Sequence, residues 1–303
     1  MGTFLCLDSR PSWRPPDTSV NTYDEDTAVE RTDDFTFVAD LRTNWWLARG
    51  PHGGYLASVL LRAMTAVVAD DERAPRSLTV HYLRPPAQGR LDIDVSLDRR
   101  GRNATFMSCA AHQEGKLYAR ALAAFSHALD GSPAFDDAPM PDVRSVEDSY
   151  RIPHDDPNTP PFLQNFDIRW AVGEAFFSGA PKAEVGGWIR TNDPHIGDAI
   201  AIATYMDAFA PAAFPRISST AIAPTMDLTI HFRSTLPLAS TSPEDLYLGV
   251  FSSTVARDGF FEEDGNQRRP TGRSSPSRGS SRCCSRRGSR GLRHLATWQR
   301  TSF

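Results

Sequence analysis

The 303-residue sequence has no long apolar run and little cysteine. No stretch approaches the roughly 18 consecutive apolar residues of a membrane span, and acidic residues interrupt the first thirty positions, where a signal peptide would need an apolar core. The four cysteines (Cys6, Cys109, Cys283 and Cys284) have neither metal-ligand spacing nor a disulfide framework. We therefore expect an intracellular protein, cytoplasmic or peroxisomal and not secreted, without a metal site.

Acidic residues are absent after Asp264. The chain has 37 acidic and 33 basic residues, and ten arginines follow that position. The body, with 23 basic and 37 acidic residues, therefore carries a formal charge of −14, which argues against nucleic acid or an anionic membrane as a partner. Residues 266–303 are rich in Arg, Ser and Gly, which is typical of a disordered tail; an RNA-binding arm is a second interpretation.

Residues 28–129 have the pattern of one helix followed by an antiparallel meander. Residues 55–68 are apolar at helical spacing over much of the circumference, which predicts a buried helix. Four strand-like segments follow, separated by proline and glycine turn signals: 77–83, 91–98, 105–113 and 117–125. A helix packed on such a meander is an α+β unit.

The pattern then recurs. After a loose leader over residues 1–27 and a Pro-, Asp- and Ser-rich linker over residues 130–161, residues 162–265 again show strand-like segments and a buried helix at 198–210. The predicted strands of this half are 162–170, 184–191, 225–232 and 247–255. The motif Leu78-Thr79-Val80-His81-Tyr82 returns 150 residues later as Leu228-Thr229-Ile230-His231-Phe232, so the sequence predicts a duplicated unit.

These motifs resemble those of the acyl-CoA thioesterase II group and the broader thioesterase-like family, over roughly residues 28–264. The matching segments are Trp46, Gly50-Pro51-His52-Gly53-Gly54-Tyr55-Leu56-Ala57, Leu78-Thr79-Val80-His81-Tyr82-Leu83-Arg84-Pro85-Pro86, Trp188-Ile189-Arg190 and Thr225-Met226-Asp227-Leu228. The resemblance implies an α+β tandem (double) hotdog fold, in which an antiparallel sheet wraps a long buried helix in each half. It also implies hydrolysis of an acyl-CoA to a free acid and CoA, with no cofactor, and leaves a homo-oligomer open.

The resemblance further implies a catalytic site built from three polar residues. In the family, an Asp on the second helix, a Thr or Ser on the next strand and a Gln on the last strand activate a water molecule. The first two positions fall on Asp207 and Thr225. A carboxylate near the end of an apolar helix suits a general base, and a hydroxyl can hold the water or the developing oxyanion. From the residues alone, an Asp before Pro211 is equally typical of a solvated surface acid.

A second group of candidate residues lies where the first helix begins: His52, Gly53, Gly54 and Tyr55. Backbone N–H groups of the glycine pair could polarise a thioester carbonyl or bind a phosphate, and tight packing of the helix is the alternative. His52 could line the same entrance, although a lone histidine in a turn is more often structural. We predict that these four residues bind the substrate.

The last strand of the family, which carries the glutamine, is missing from the pattern of residues 162–265. Between Pro270 and Cys283, the third base of each codon with the first two of the next can encode Asp-Gly-Thr-Leu-Leu-Ala-Gln-Ser-Arg-Gln-Leu-Ala-Leu-Leu, as the family would continue. The use of 31 Arg against two Lys indicates the GC-rich coding that this requires. We therefore predict that residues 266–303 are a frame-shifted, disordered tail, and that the second sheet lacks its closing strand.

Two other functions stay open. An enoyl-thioester hydratase would keep the fold, and Asn192-Asp193-Pro194-His195 echoes the helix-entry pattern of hotdog hydratases. A non-catalytic acyl-CoA-binding double hotdog protein is favoured if the truncated last strand is genuine.

Overall fold

The structure, a computed structural model, describes residues 22–47, 49–129, 131–137, 141–153, 159–270 and 292–302. The first half contains α1 (Thr22–Asp26), β1 (Glu30–Asp33), β2 (Thr36–Leu41), β3 (Trp46–Leu47), β4 (Gly50–Pro51), α2 (Gly53–Val68), β5 (Ala74–Tyr82), β6 (Gly89–Arg100), β7 (Ala104–Gln113) and β8 (Lys116–Ser126). The second half contains β9 (Tyr150–Arg151), β10 (Phe166–Val172), β11 (Glu184–Thr191), α3 (Ala199–Tyr205), β12 (Thr225–Phe232), β13 (Tyr247–Ser252), β14 (Ala256–Arg257), β15 (Phe260–Pro270) and β16 (Leu292–Ser302). Short 3₁₀ turns lie at Thr43–Trp45 and Pro161–Asn165.

A single antiparallel sheet of fourteen strands carries both halves. Its strand order is β1-β2-β6-β7-β8-β5-β12-β16-β15-β13-β11-β10-β9, with β14 paired to β15, while β3 and β4 form a separate hairpin. The strands predicted at 184–191 and 225–232 are confirmed residue by residue. The four predicted strands of the first half are also confirmed, with ends that differ by up to three residues.

The helix α2 confirms the buried helix predicted at 55–68. It begins two residues earlier, at Gly53, because the His52 side chain caps it by accepting a hydrogen bond from the Tyr55 N–H. Residues 54–61 are buried without interruption. This part of the helix has no solvent face, and the sheet and α3 cover it.

The duplicated motif forms the seam between the two half-sheets. Strands β5 and β12 pair directly, with Thr79 opposite Thr229, and the two Oγ1 atoms lie 3.1 Å apart. On the core side of the seam, Leu78 pairs with Ile230 and Val80 pairs with Leu228. The two copies of the repeat thus lie side by side at the centre of the sheet.

The second helix is shorter than predicted. The sequence predicted a helix over residues 198–210 and a long buried helix in each half, but α3 spans only Ala199–Tyr205. After Tyr205 the turn tightens, because the N–H groups of Asp207 and Ala208 donate to carbonyl oxygens three residues earlier in the chain. The Asp207 carbonyl oxygen lies 2.8 Å from His52 Nε2 in the other half of the chain. The prediction of a long helix in the second half is therefore wrong.

Strand β16 closes the second half-sheet. It lies between β12 and β15, and it pairs with β15 from Leu292 to Ser302 and with β12 from Ala296 to Ser302. The prediction that the closing strand is missing is wrong, because residues 292–302 fill the edge that β12 and β15 would otherwise leave unpaired. Strand β15 also runs to Pro270, beyond the predicted domain end at 265. Residues 271–291 lie outside the described residues, and the frame-shift hypothesis stays a prediction.

Parts of the predicted leader and linker are packed onto the core. Within the leader predicted over 1–27, α1 carries the buried Tyr23, whose hydroxyl lies 2.7 Å from Thr204 Oγ1; residues 1–21 lie outside the described residues. Within the linker predicted over 130–161, Val143 and Val146 pack on an apolar cluster of Ala171, Trp188 and Leu248. No helix in the described ranges is both long enough and apolar enough to cross a membrane.

Candidate active site

Asp207 lies where the C-terminal end of α3 meets the N-terminus of α2. Its Oδ2 atom accepts a 2.9 Å hydrogen bond from the Gly54 N–H and lies 3.6 Å from His52 Nε2. The side chain is 5% exposed, so it is not the solvated surface acid that the sequence alone left open. The positive end of the α2 dipole stabilises a negative charge at this position.

His52 holds the backbone of Asp207 in place. Its Nδ1 atom accepts the Tyr55 N–H at 3.1 Å, so Nε2 carries the proton in the neutral ring and donates to the Asp207 carbonyl oxygen at 2.8 Å. The ring stacks on Phe162 with its centroid 4.9 Å away and is 2% exposed. The contacts of His52 are therefore those of a buried positioning group.

The glycine pair allows the second half of the chain to approach α2. A Cβ atom at Gly53 would lie 2.7 Å from Asp207 Oδ2, and one at Gly54 would lie 2.6 Å from the Thr204 carbonyl oxygen. Both distances are shorter than real Cβ contacts. The Gly54 N–H already donates to Asp207 and is not available to a substrate. Tight packing of the helix, the alternative drawn from the sequence, therefore accounts for Gly54. Gly53 is half-buried and borders the carboxylate.

Tyr82 is a site residue that the sequence analysis missed. Its hydroxyl donates to the Gly53 carbonyl oxygen at 2.8 Å, and its ring is half-buried beside the glycine. The duplicated motif contains a signal for it, because the second copy has Phe232, without a hydroxyl, at the equivalent position. The difference marks Tyr82 as more than a shared fold residue.

Thr225 and Tyr55 have different surroundings. Thr225 is the half-buried first residue of β12, two residues before Asp227, which pairs with His81 of β5. No hydrogen bond joins Thr225 to Asp207 within the described ranges. Tyr55 is fully buried: its hydroxyl donates to the Asp26 carbonyl at 2.7 Å, and burial raises the pKa of this phenol.

No glutamine hydrogen-bonds to Asp207 within the described ranges. Gln299 of β16 is exposed and donates to Asp264 Oδ1 at 2.9 Å. Gln267 of β15 is fully buried, and its amide has no hydrogen-bond partner among the residues that the structure describes. The Ser302 hydroxyl, on the Cα partner of Thr225, is likewise buried without a partner there. The described residues also contain no group of three or more His, Cys, Asp or Glu side chains that could hold a metal ion.

Two family models match the chain. The model of the acyl-CoA thioesterase N-terminal domain matches residues 42–126, and that of the C-terminal domain matches residues 136–273. The chain belongs to the acyl-CoA thioesterase family. The resemblance to a double hotdog thioesterase, drawn from the sequence motifs, is thereby confirmed. No curated protein sequence matches this thioesterase family member.

Solved structures show the hotdog fold of this thioesterase family member. A hot dog fold protein from Alicyclobacillus acidocaldarius is 22% identical with a TM-score of 0.77, covering 94% of this chain and 98% of the other. The tesB protein of Mycobacterium avium subsp. paratuberculosis is 19% identical with a TM-score of 0.68, covering 94% and 99%. The acyl-CoA thioesterase II TesB2 of Mycobacterium marinum is 17% identical with a TM-score of 0.67, covering 92% and 96%. At these identities the likeness concerns the fold.

Proposed function

We propose that the protein hydrolyses an acyl-CoA to the free acid and CoA, with Asp207 as the general base. The observation that carries the proposal is the placement of the Asp207 carboxylate. It is buried against the Gly54 N–H at the N-terminus of α2 and borders Gly53, the half-buried glycine of the pair. A carboxylate held in one orientation suits the activation of water as a general base.

In the proposed reaction, the water oxygen attacks the thioester carbonyl carbon while Asp207 takes a proton from the water. The tetrahedral intermediate then collapses, the C–S bond breaks, and the CoA thiolate leaves and takes up the proton. Thr225, at the start of β12, is proposed to orient the water or to bind the oxyanion. The hydrogen bond from the Gly54 N–H holds the carboxylate in one orientation between turnovers.

The residues of the α2 N-terminus divide into two roles in this proposal. Gly53 borders the place where the thioester would lie, because the position that a Cβ atom would take at Gly53 faces both Asp207 and Tyr82. His52, Gly54 and Tyr55 are buried and act by holding the site together.

The hydratase alternative finds less support. His195, the histidine of the hydratase-like motif, is 9% exposed and lies between two carboxylates, 3.5 Å from Asp24 and 3.7 Å from Asp198. Its ring packs on Tyr23 with the centroids 4.9 Å apart. Through its contacts with Tyr23 and Asp24, the imidazole holds α1 against the core. The non-catalytic binding protein remains as an outcome of the experiment below.

The test is thiol release from acyl-CoAs of graded chain length by the wild-type protein and by Asp207→Asn. Asparagine keeps the shape but cannot accept the proton, so we expect kcat to fall by about 10²–10⁴-fold while acyl-CoA binding is retained. The matched control is Asp94→Asn, which removes an exposed carboxylate from β6. Undiminished turnover in Asp207→Asn would refute the assignment of the base, and binding without turnover by the wild-type protein would favour the non-catalytic alternative.

A further inference from the structure

Two arginines near the candidate site, Arg49 and Arg84, have no ion-pair partner among the residues that the structure describes. Arg49 and Arg84 are exposed, and their side chains make no salt bridge or hydrogen bond within the described ranges. The body of the chain carries a formal charge of −14, and many of its other arginines do pair with carboxylates, as Arg62 does with Asp24. Two unpaired guanidinium groups beside a site are available to a ligand with negative charge.

Two backbone segments lead from these arginines towards Asp207. The segment 49–53 and the segment 82–85 run antiparallel and touch at both ends. At the inner end, Tyr82 binds the Gly53 carbonyl beside the Asp207 carboxylate. At the outer end, a Cβ atom on Gly50 would lie 2.6 Å from the Pro85 side chain. Arg49 and Arg84 each adjoin this outer contact, about 10 Å along extended chain from the inner one.

Aromatic contact positions one of the two guanidinium groups. The Arg84 Cζ atom lies 5.6 Å from the centroid of the Tyr118 ring, and the Arg84 backbone N–H donates to the Tyr118 carbonyl. A cation–π contact restricts the side chain without neutralising its charge, and it leaves the edge of the guanidinium open for hydrogen bonds. Arg49 is in the turn of the β3–β4 hairpin, which ends at the contact with Pro85.

We propose that Arg49 and Arg84 bind the phosphate groups of CoA while the pantetheine arm extends along segments 49–53 and 82–85 to Asp207. The inference rests on the proposed thioesterase function and adds a carrier-binding site to it. Arginine forms bidentate, charge-assisted hydrogen bonds with phosphate. In acyl-CoA a flexible arm separates the diphosphate from the thioester, as the segments separate the arginines from Asp207.

The test compares thioesters with one acyl group on three carriers: CoA, dephospho-CoA and pantetheine, which carries no phosphate group on its arm. The readout is the ratio of kcat/KM for acyl-CoA to kcat/KM for acyl-pantetheine. For Arg84→Gln and for Arg49→Gln we expect this ratio to fall by about tenfold each, through KM for acyl-CoA. Arg84→Lys should restore part of the ratio, and added salt should lower it in the wild-type protein. Dephospho-CoA separates the contribution of the 3′-phosphate from that of the diphosphate.

The control is Arg102→Gln, an exposed arginine in the β6–β7 turn at the opposite end of the sheet, which should keep the wild-type ratio. An unchanged ratio in the Arg49 and Arg84 variants, or an equal loss with acyl-CoA and acyl-pantetheine, would overturn the phosphate site. If the wild-type protein hydrolysed neither thioester, the proposed function itself would fail. The two failures are therefore distinguishable.

Discussion

The adjacent glycines at the start of α2 provide a test of the site geometry. Alanine is the better helix former by about 1 kcal/mol, so propensity alone predicts that either glycine-to-alanine change stabilises the protein. The structure predicts the opposite at Gly54. The new Cβ would lie 2.6 Å from the Thr204 carbonyl oxygen and 2.9 Å from the His52 ring, and neither group can rotate away.

The expected cost of Gly54→Ala follows from these contacts. Overpacking against rigid groups costs about 1–3 kcal/mol and outweighs the gain in helix propensity. At Gly53 the nearest atom is Asp207 Oδ2 at 2.7 Å, which is the end of a side chain and can swing aside. We therefore expect Gly53→Ala to have little effect on stability but to displace the carboxylate and lower kcat.

Urea unfolding of the two variants measures the free energies of unfolding, and thiol release from an acyl-CoA measures the activities. The neighbouring substitutions are matched in chemistry, so each controls for the other. The reasoning would be refuted if Gly54→Ala were as stable as the wild-type protein, or if Gly53→Ala retained its full kcat.

Two further predictions concern single side chains. Tyr82→Phe removes the hydrogen bond to the Gly53 carbonyl; by urea unfolding it should cost about 0.5–1.5 kcal/mol, and an unchanged stability would contradict the contact. Asp167, whose side chain is 1% exposed, pairs with Arg151 at 2.9 Å, Arg169 at 3.4 Å and Arg190 at 3.6 Å. Burial alone would raise the pKa of Asp167, but the hydrogen bonds and charges of Arg169 and Arg151 outweigh it and hold this pKa below its usual value. The carboxylate therefore stabilises the fold at neutral pH, and this contribution is lost as the pH falls below about 4 through the lowered pKa. Asp167→Asn should cost about 1.5–3 kcal/mol at pH 7, because it removes charge-assisted hydrogen bonds. It should also flatten the acid limb of a pH series of urea unfolding, whereas an unaltered acid limb would contradict the pairing.

Local pattern was sufficient to predict strands β5 to β8, strands β11 and β12, and the first helix. Strand β12 and helix α2 have periodic or continuous apolar sequences, and a buried face of that kind specifies both the element and its orientation. The family assignment followed from motif order. These features depend on residues close together in the chain.

The features that the sequence did not predict depend on contacts between distant segments. The early end of α3 accompanies a contact between the two halves, in which His52, 155 residues from Asp207 in the sequence, binds the Asp207 carbonyl oxygen. Strand β16 follows a segment of 21 residues outside the described ranges, and its Arg- and Ser-containing sequence has weak strand signals, so its pairing comes from the open edges of β12 and β15. The difference between Tyr82 and Phe232 is visible in the sequence, but the role of the hydroxyl follows only from its contact with Gly53.

The β5–β12 seam has the symmetry of a homodimer interface. Thr79 faces its own counterpart Thr229, and the flanking pairs exchange roles: Leu78 pairs with the counterpart of Val80, and Val80 with the counterpart of Leu78. Reciprocal contacts of this kind arise when two identical subunits meet about a twofold axis. Within one covalent chain the two copies need not be identical, and Tyr82 has a hydroxyl where its counterpart, Phe232, has none. A chain with twofold architecture can in this way carry a single, asymmetric active site.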